Sequence, residues 1–218
     1  MNRQPMVTGE FYHAYNHGVE DRDIILDNFD ALRFLESMRV FNCVQPIGSI
    51  YEQSFVHENL LGGETAKSKL VNIVAYCINP NHFHLLLEQV SDNGISEFMK
   101  RLGGGYTWYY NNKHKRKGSL FRGVFRSSHI STDAYINHLS AYINLNDHVH
   151  QLGGETAKLV KSSWGEYIGK VTHPMCTKEI VLGQFKNKKE YKKYAEDSLS
   201  GMQDRKKIER EEKYLMID

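Results

Sequence analysis

Two histidines one residue apart, His82 and His84, open the run HFHLLLEQ, whose apolar content is that of a buried strand. Side chains alternate across a sheet, so both imidazoles would face one side and Phe83 the other. Two imidazoles so spaced can ligate one divalent cation with little rearrangement. A pair alone does not complete a coordination shell, and an isolated HxH is more often two half-buried histidines bonded to their neighbours. A second group lies further along. Tyr142 and Asn146 are four residues apart in a helical pattern and share a face. A phenol and an amide oxygen one turn apart can approach the same cation. Tyr135, seven residues before Tyr142, lies on that face too, so position alone leaves two tyrosines competing. Core packing for the tyrosines and helix capping for Asn146 are the plainer alternatives.

A third signal is electrostatic. Between Phe98 and Thr132 there are eight Lys or Arg residues and no Asp or Glu. They are Lys100, Arg101, Lys113, Lys115, Arg116, Lys117, Arg122 and Arg126, interleaved with Tyr106, Trp108, Tyr109, Tyr110, Phe121 and Phe125. Cations suit phosphates and aromatic faces suit unstacked bases. A solvated helix face over an aromatic core would look similar. No GxxxxGK[ST] is present, so nothing suggests a nucleoside triphosphate site.

These groups need elements to hold them. Phe11–Asn16 reads as a strand ended by Gly18, and Asp30–Phe41 as an amphipathic helix. A turn-rich stretch runs from Gln45 to Ser68. Leu70–Ile78 is a β-branched strand, Asn79-Pro80-Asn81 a turn, and His82–Gln89 the antiparallel partner strand. Ile95–Lys113 is a helix that Gly103, Gly104 and Gly105 should weaken or bend. Phe121–Ile130 is a fourth strand, followed by a helix over Asp133–Asn146 with capping residues at Ser131 to Asp133. The order β-α-β-β-α-β is the ferredoxin-like split unit of the α+β class, with a four-stranded antiparallel sheet like that of RRM domains. Both helices would cover one face, leaving the other for a site. Residues 1–170 form the expected domain; 171–218 form an extension, with a charged helical tail over Lys188–Lys213 that has few apolar anchors.

The chain has 218 residues, 40% of them hydrophobic and 25% charged, as in a globular protein with a real core. Its three cysteines are widely spaced without CxxC, which suits a reducing cytoplasm. There is no apolar leader and no long apolar run, so no membrane association is expected.

Taken in order, the segments YHAYNHGVEDRDIIL, YCINPNHFHLLLEQ, FMKRLGGGYTWYYNNKHKRKGSLFRGVFRS and DAYINHLSAYINLND resemble the single-tyrosine HUH transposases. Within that family the chain looks most like the branch associated with repetitive extragenic palindromes (REP). The similarity runs from Phe11 to about Gly169, and INPNHFHLLL is its most specific part. The resemblance implies that His82 and His84 bind Mg²⁺ or Mn²⁺ with Asn146 as third protein ligand, and that Tyr142 is the nucleophile. It implies single-stranded DNA with hairpin repeats as partner, a 5′-phosphotyrosine intermediate, and a monomer or homodimer. One departure is visible: the family often has Asn-Pro where this chain has Asn146-Asp147, and Asp147 could itself approach the metal. Two other readings compete, a non-catalytic RRM-like nucleic-acid-binding module and a metal-dependent phosphodiesterase without a covalent step.

The heptapeptide LGGETAK occurs twice, at Leu61–Lys67 and Leu152–Lys158, with 84 residues between the copies. Both fall between the predicted elements, where insertions cost little closure entropy. The peptide can be encoded by CTT GGC GGT GAA ACC GCC AAG, whose first three codons are the reverse complement of the last three. We read each copy as the translation of a small hairpin-forming DNA element lodged in the gene; two similar Gly-rich loops and a peptide repeat that binds a partner are the alternatives. Gene sequencing is expected to show codons that form this stem in both copies; synonymous codons that break it would defeat the reading.

Overall fold

The computed structural model describes residues 5–45 and 68–215. The Gln45–Ser68 stretch, including the first LGGETAK copy, lies almost wholly outside the described residues. Strand β1 is Phe11–His17, helix α1 Asn28–Val40, β2 Val71–Ile78 and β3 His82–Gln89; helix α2 follows at Gly94–Lys113. Strand β4 is Arg126–Ile130 and α3 is Asp133–Asn144. Short elements α4 (Asn146–Val149), α5 (Gly154–Leu159), β5 (Lys161–Ser162), α6 (Trp164–Tyr167) and α7 (Glu179–Leu182) lead to the long α8, Lys188–Leu215. None of these helices is long and apolar enough to cross a membrane.

Among the described residues the sheet has five strands in the order β4-β1-β3-β2-β5, all antiparallel. The expected ferredoxin-like sheet of four is therefore present, with one strand added at its edge. β5 is two residues long, Cys77 pairing with Ser162 and Ile78 with Lys161, too short for any periodicity to announce it. β4 is shorter than the Phe121–Ile130 expected. Phe121 makes an isolated bridge to Gly18, and the chain turns at Gly123 with φ of 65° before β4 begins.

One face of the sheet packs on α1 and α2. Tyr12 and Ala14 of β1 and Phe83, Leu85 and Leu87 of β3 join Phe34 and Tyr106 of these helices in the main core. Phe83 sits between Phe34 and Phe121, with ring centroids 5.3 and 5.7 Å away. Contrary to the expectation from its three glycines, α2 runs uninterrupted. Gly105 has a packing reason, because a Cβ there would lie 2.5 Å from the Phe41 ring. Gly103 and Gly104 meet nothing within 4 Å.

The opposite face is covered in part by α3 and α8. Here β2 carries an irregularity between Ile73 and Ala75, so that Val74 and Ala75 both join the second core, with Leu86 and Ile136. That extra residue resets the alternation and brings Cys77 opposite His84. The charged tail has more anchors than its composition suggests. Tyr191, Ala195 and Met202 form one buried stripe at helical spacing. The Tyr191 hydroxyl bonds Ser140 Oγ at 3.0 Å and accepts from Asn144 Nδ2 at 2.9 Å.

The junction of α1 and α2 is held by a buried carboxylate. Asp30, fully buried, accepts from the Leu26 amide at 2.9 Å and pairs with Lys113 at 2.7 Å and His114 at 3.0 Å. Lys113 also reaches Asp27, which caps α1. Asp30→Ala is expected to cost about 3 kcal/mol, the low end for a broken buried pair because Lys113 keeps Asp27. Asp27→Ala should cost nearer 1 kcal/mol as a lost cap. Denaturant titration of both variants checks this; equal losses would contradict the network.

Candidate active site

The alternation of β3 places His82 and His84 on the α3 side of the sheet. On β1, His13, Tyr15 and His17 share that side, since Tyr15 pairs with His84 and His17 with His82. His17 stacks on His82 with centroids 4.9 Å apart, and His150, just beyond α4, lies 5.1 Å away on another side. The His82 and His84 rings are 5.1 Å apart and nearly perpendicular. The sequence reading missed His13, His17 and His150. The first two were legible in principle, because alternate positions of FYHAYNH share a face.

Hydrogen bonds fix how the pair is presented. His82 Nδ1 is 2.7 Å from Asn81 Oδ1, an acceptor, so this nitrogen carries the proton and Nε2 carries the lone pair. His84 Nδ1 is 2.9 Å from Nε2 of His13. The turn residue Asn79 places its amide nitrogen 2.9 Å from His82 Nε2 and donates at 2.6 Å to Asn146 Oδ1. Two lone pairs, one from an imidazole and one from an amide, thus converge on one donor. Asn146 is fully buried, and its Nδ2 has no hydrogen-bond partner among the described residues.

α3 stops at Asn144, earlier than expected, and Leu145 breaks the helix before Asn146 starts α4. The Asp147 carboxylate turns to His148 Nδ1 at 2.8 Å. Tyr142 is half-buried, its ring perpendicular to that of His84 at 5.6 Å. Tyr135 is 46% exposed and lines the same pocket as Tyr142. Among the described residues, no three His, Cys, Asp or Glu side chains are arranged to hold a metal. A cation here would rely on the histidine pair and the Asn146 amide oxygen. That donor set, nitrogen and oxygen without thiolate, is one that a divalent ion can take, and neutral imidazoles are the form that ligates.

The eight cations divide by location. Arg101 bonds Glu97 at 2.7 Å and the Cys43 carbonyl at 2.6 Å. Lys113 belongs to the Asp30 network, and Arg116 bonds Asn111 Oδ1 at 2.9 Å and the Ser119 carbonyl at 2.8 Å. These three are engaged within the fold. Lys100, Lys115 and Lys117 are exposed, but on and beyond α2, across the sheet from the histidines. Arg122 is exposed and pairs with Asp21 at 2.8 Å. Arg126 is exposed and sits opposite Tyr15, on the histidine face. Among the interleaved aromatics Tyr106 is core, whereas Trp108 is 63% exposed. From Gly154 onward the second LGGETAK copy lies in the short helix α5 rather than a plain loop, and that helix has no buried residue.

Burial keeps the central imidazoles neutral. It lowers His13 to about 4 and, with smaller contributions from His150 and His17, His82 to about 3. His84 lies well below its ordinary value for the same leading reason, with His13 next. In the unfolded chain these groups take up protons below about pH 6.5. Acid therefore favours unfolding, by about 1.4 kcal/mol per histidine for each pH unit inside the window. The thermal midpoint should hold above about pH 7 and fall steeply between about pH 6.5 and 4. A midpoint unchanged down to about pH 4.5 would contradict a buried neutral cluster.

No curated protein matches the chain. Residues 56–146 match the family model described as "Transposase IS200 like". Among solved structures, that of a REP-associated tyrosine transposase bound to a REP hairpin aligns with a TM-score of 0.46 and 13% identity, over 80% of this chain and 88% of that one. The segment similar to that family model, residues 56–146, carries His82, His84, Tyr142 and Asn146.

Proposed function

We propose that this chain is a metal-dependent single-stranded DNA endonuclease and strand transferase, of the REP-associated kind, that cleaves beside hairpin repeats. The observation that carries the reading is the Tyr142 ring set 5.6 Å from His84, beside a neutral histidine pair in which His82 and the Asn146 amide oxygen converge on the Asn79 amide. The family of the matched segment and the sequence blocks around INPNHFHLLL support it.

The Tyr142 hydroxyl attacks the scissile phosphorus in line with the 3′ oxygen. The oxygen–phosphorus bond to Tyr142 forms as the bond to the 3′ oxygen breaks, and the phenolic proton ends, in net terms, on the released 3′-OH. The product is a 5′-phosphotyrosine, which another 3′-OH can attack to rejoin strands without a nucleoside triphosphate. A phenol ordinarily ionises near pH 10, so at neutral pH it needs help. His82, His84 and Asn146 would hold Mg²⁺ or Mn²⁺, which when bound polarises the phosphate and stabilises charge on its oxygens. Asn81 and His13 hold the two imidazoles in orientation. Lys100, Lys115, Lys117, Arg122 and Arg126 are the exposed cations assigned to the DNA backbone.

Incubation with labelled single-stranded hairpin DNA and Mn²⁺, followed by denaturing gels, tests the reading. Tyr142→Phe is expected to lose the covalent adduct and at least about 10³-fold in cleavage, while Tyr135→Phe keeps both. His84→Ala should lose cleavage with its fold intact. Cleavage that survives Tyr142→Phe would favour a phosphodiesterase without a covalent step, and binding without cleavage a recognition module.

A further inference from the structure

The Tyr142 pocket has a wall that this chemistry does not use. The cavity is about 320 Å³, and α8 contributes Met202, Arg205 and Lys206 opposite Tyr142 and His13. The three residues are spaced i, i+3 and i+4, so one face of the helix carries them all. Met202 is buried against α3 and α4, and that packing aims the next two side chains into the opening. Arg205 is exposed and Lys206 half-buried. None of the lining residues is acidic. His138, which lines the same pocket, is lowered first by burial and then by Arg205. A positive pocket with room for a sugar–phosphate unit, beside a phenol, is suited to a phosphodiester.

We propose that Arg205 and Lys206 form a phosphate clamp for single-stranded nucleic acid at the Tyr142 pocket, making the C-terminal helix part of the site. The clamp positions the phosphodiester next to the phenol; it rests on the reading of Tyr142 for its role in chemistry but not for binding. Its placement depends on the Tyr191–Ala195–Met202 stripe, not on the two cations, so removing them leaves the helix docked.

The test uses the full chain carrying Tyr142→Phe, so that no adduct forms, and fluorescence anisotropy of a labelled single-stranded oligonucleotide over a range of salt. Adding Arg205→Ala and Lys206→Ala together is expected to weaken binding at least about tenfold. The slope of log affinity against log salt should fall by about 1.4, two contacts at about 0.7 each. Arg205→Lys with Lys206→Arg should restore most of both. Lys192→Ala, elsewhere on the same helix, should leave the slope unchanged. A double variant with the wild-type slope, or an equal loss in Lys192→Ala, would overturn the clamp. If otherwise wild-type protein forms no adduct while the double variant loses slope, the clamp stands and the nucleophile assignment fails. If adduct formation keeps its rate and substrate dependence in Arg205→Ala/Lys206→Ala, the clamp alone is wrong.

Discussion

The alternation of β3 is the constraint from which the site follows. Phe83, Leu85 and Leu87 must enter the core beneath α1 and α2, so His82 and His84 must face the other way. Slipping the strand by one residue would bury two imidazoles among Phe34 and Tyr106 and expose Phe83. The cost of that slip fixes the register with β1, and the register in turn lays His17 against His82 and Tyr15 opposite His84. On the far side of β3, the irregularity in β2 keeps Cys77 on the same face. The apolar side of the strand thereby determines where the polar side can work.

The Asn79-Pro80-Asn81 turn then links this strand to the helix that carries Tyr142. The Pro80 carbonyl accepts from Ile24 and Ile25 at 2.6 and 2.9 Å, and the Asn81 carbonyl accepts from Gly18. The turn is therefore fixed from outside while its side chains reach inward. Asn81 sets the tautomer of His82, and Asn79 joins His82 to Asn146 across the α3–α4 break. These two amides thereby tie the turn, the histidine strand and the start of α4 together.

Much of this was legible in the sequence. β1, β2, β3, α1, α2 and α3 follow from period 2 and period 3.6 patterns, and their ends agree within a residue or two. The fifth strand was not legible, since two residues carry no period. The anchoring of α8 was hidden because Tyr191, Ala195 and Met202 are a narrow stripe among many charges. The histidine pair stood out by spacing, while spacing alone left Tyr142 and Tyr135 level; His150, Arg205 and Lys206 line or reach the neighbouring pockets through tertiary packing alone. The basic stretch misled in part: a run of cations shows charge but not partners, and Arg101, Lys113 and Arg116 turn out to tie the fold together.

The site thus combines neutral, desolvated imidazoles with cations held at its rim. Its central claim concerns one oxygen atom, the Tyr142 hydroxyl. The most direct measurement is peptide mass spectrometry after trapping with an oligonucleotide whose 3′ fragment is too short to stay bound and rejoin. The account predicts a nucleotide-mass addition on the peptide containing Tyr142, localised to that residue by fragmentation. An addition on Tyr135, or cleaved DNA with no modified peptide, would contradict it.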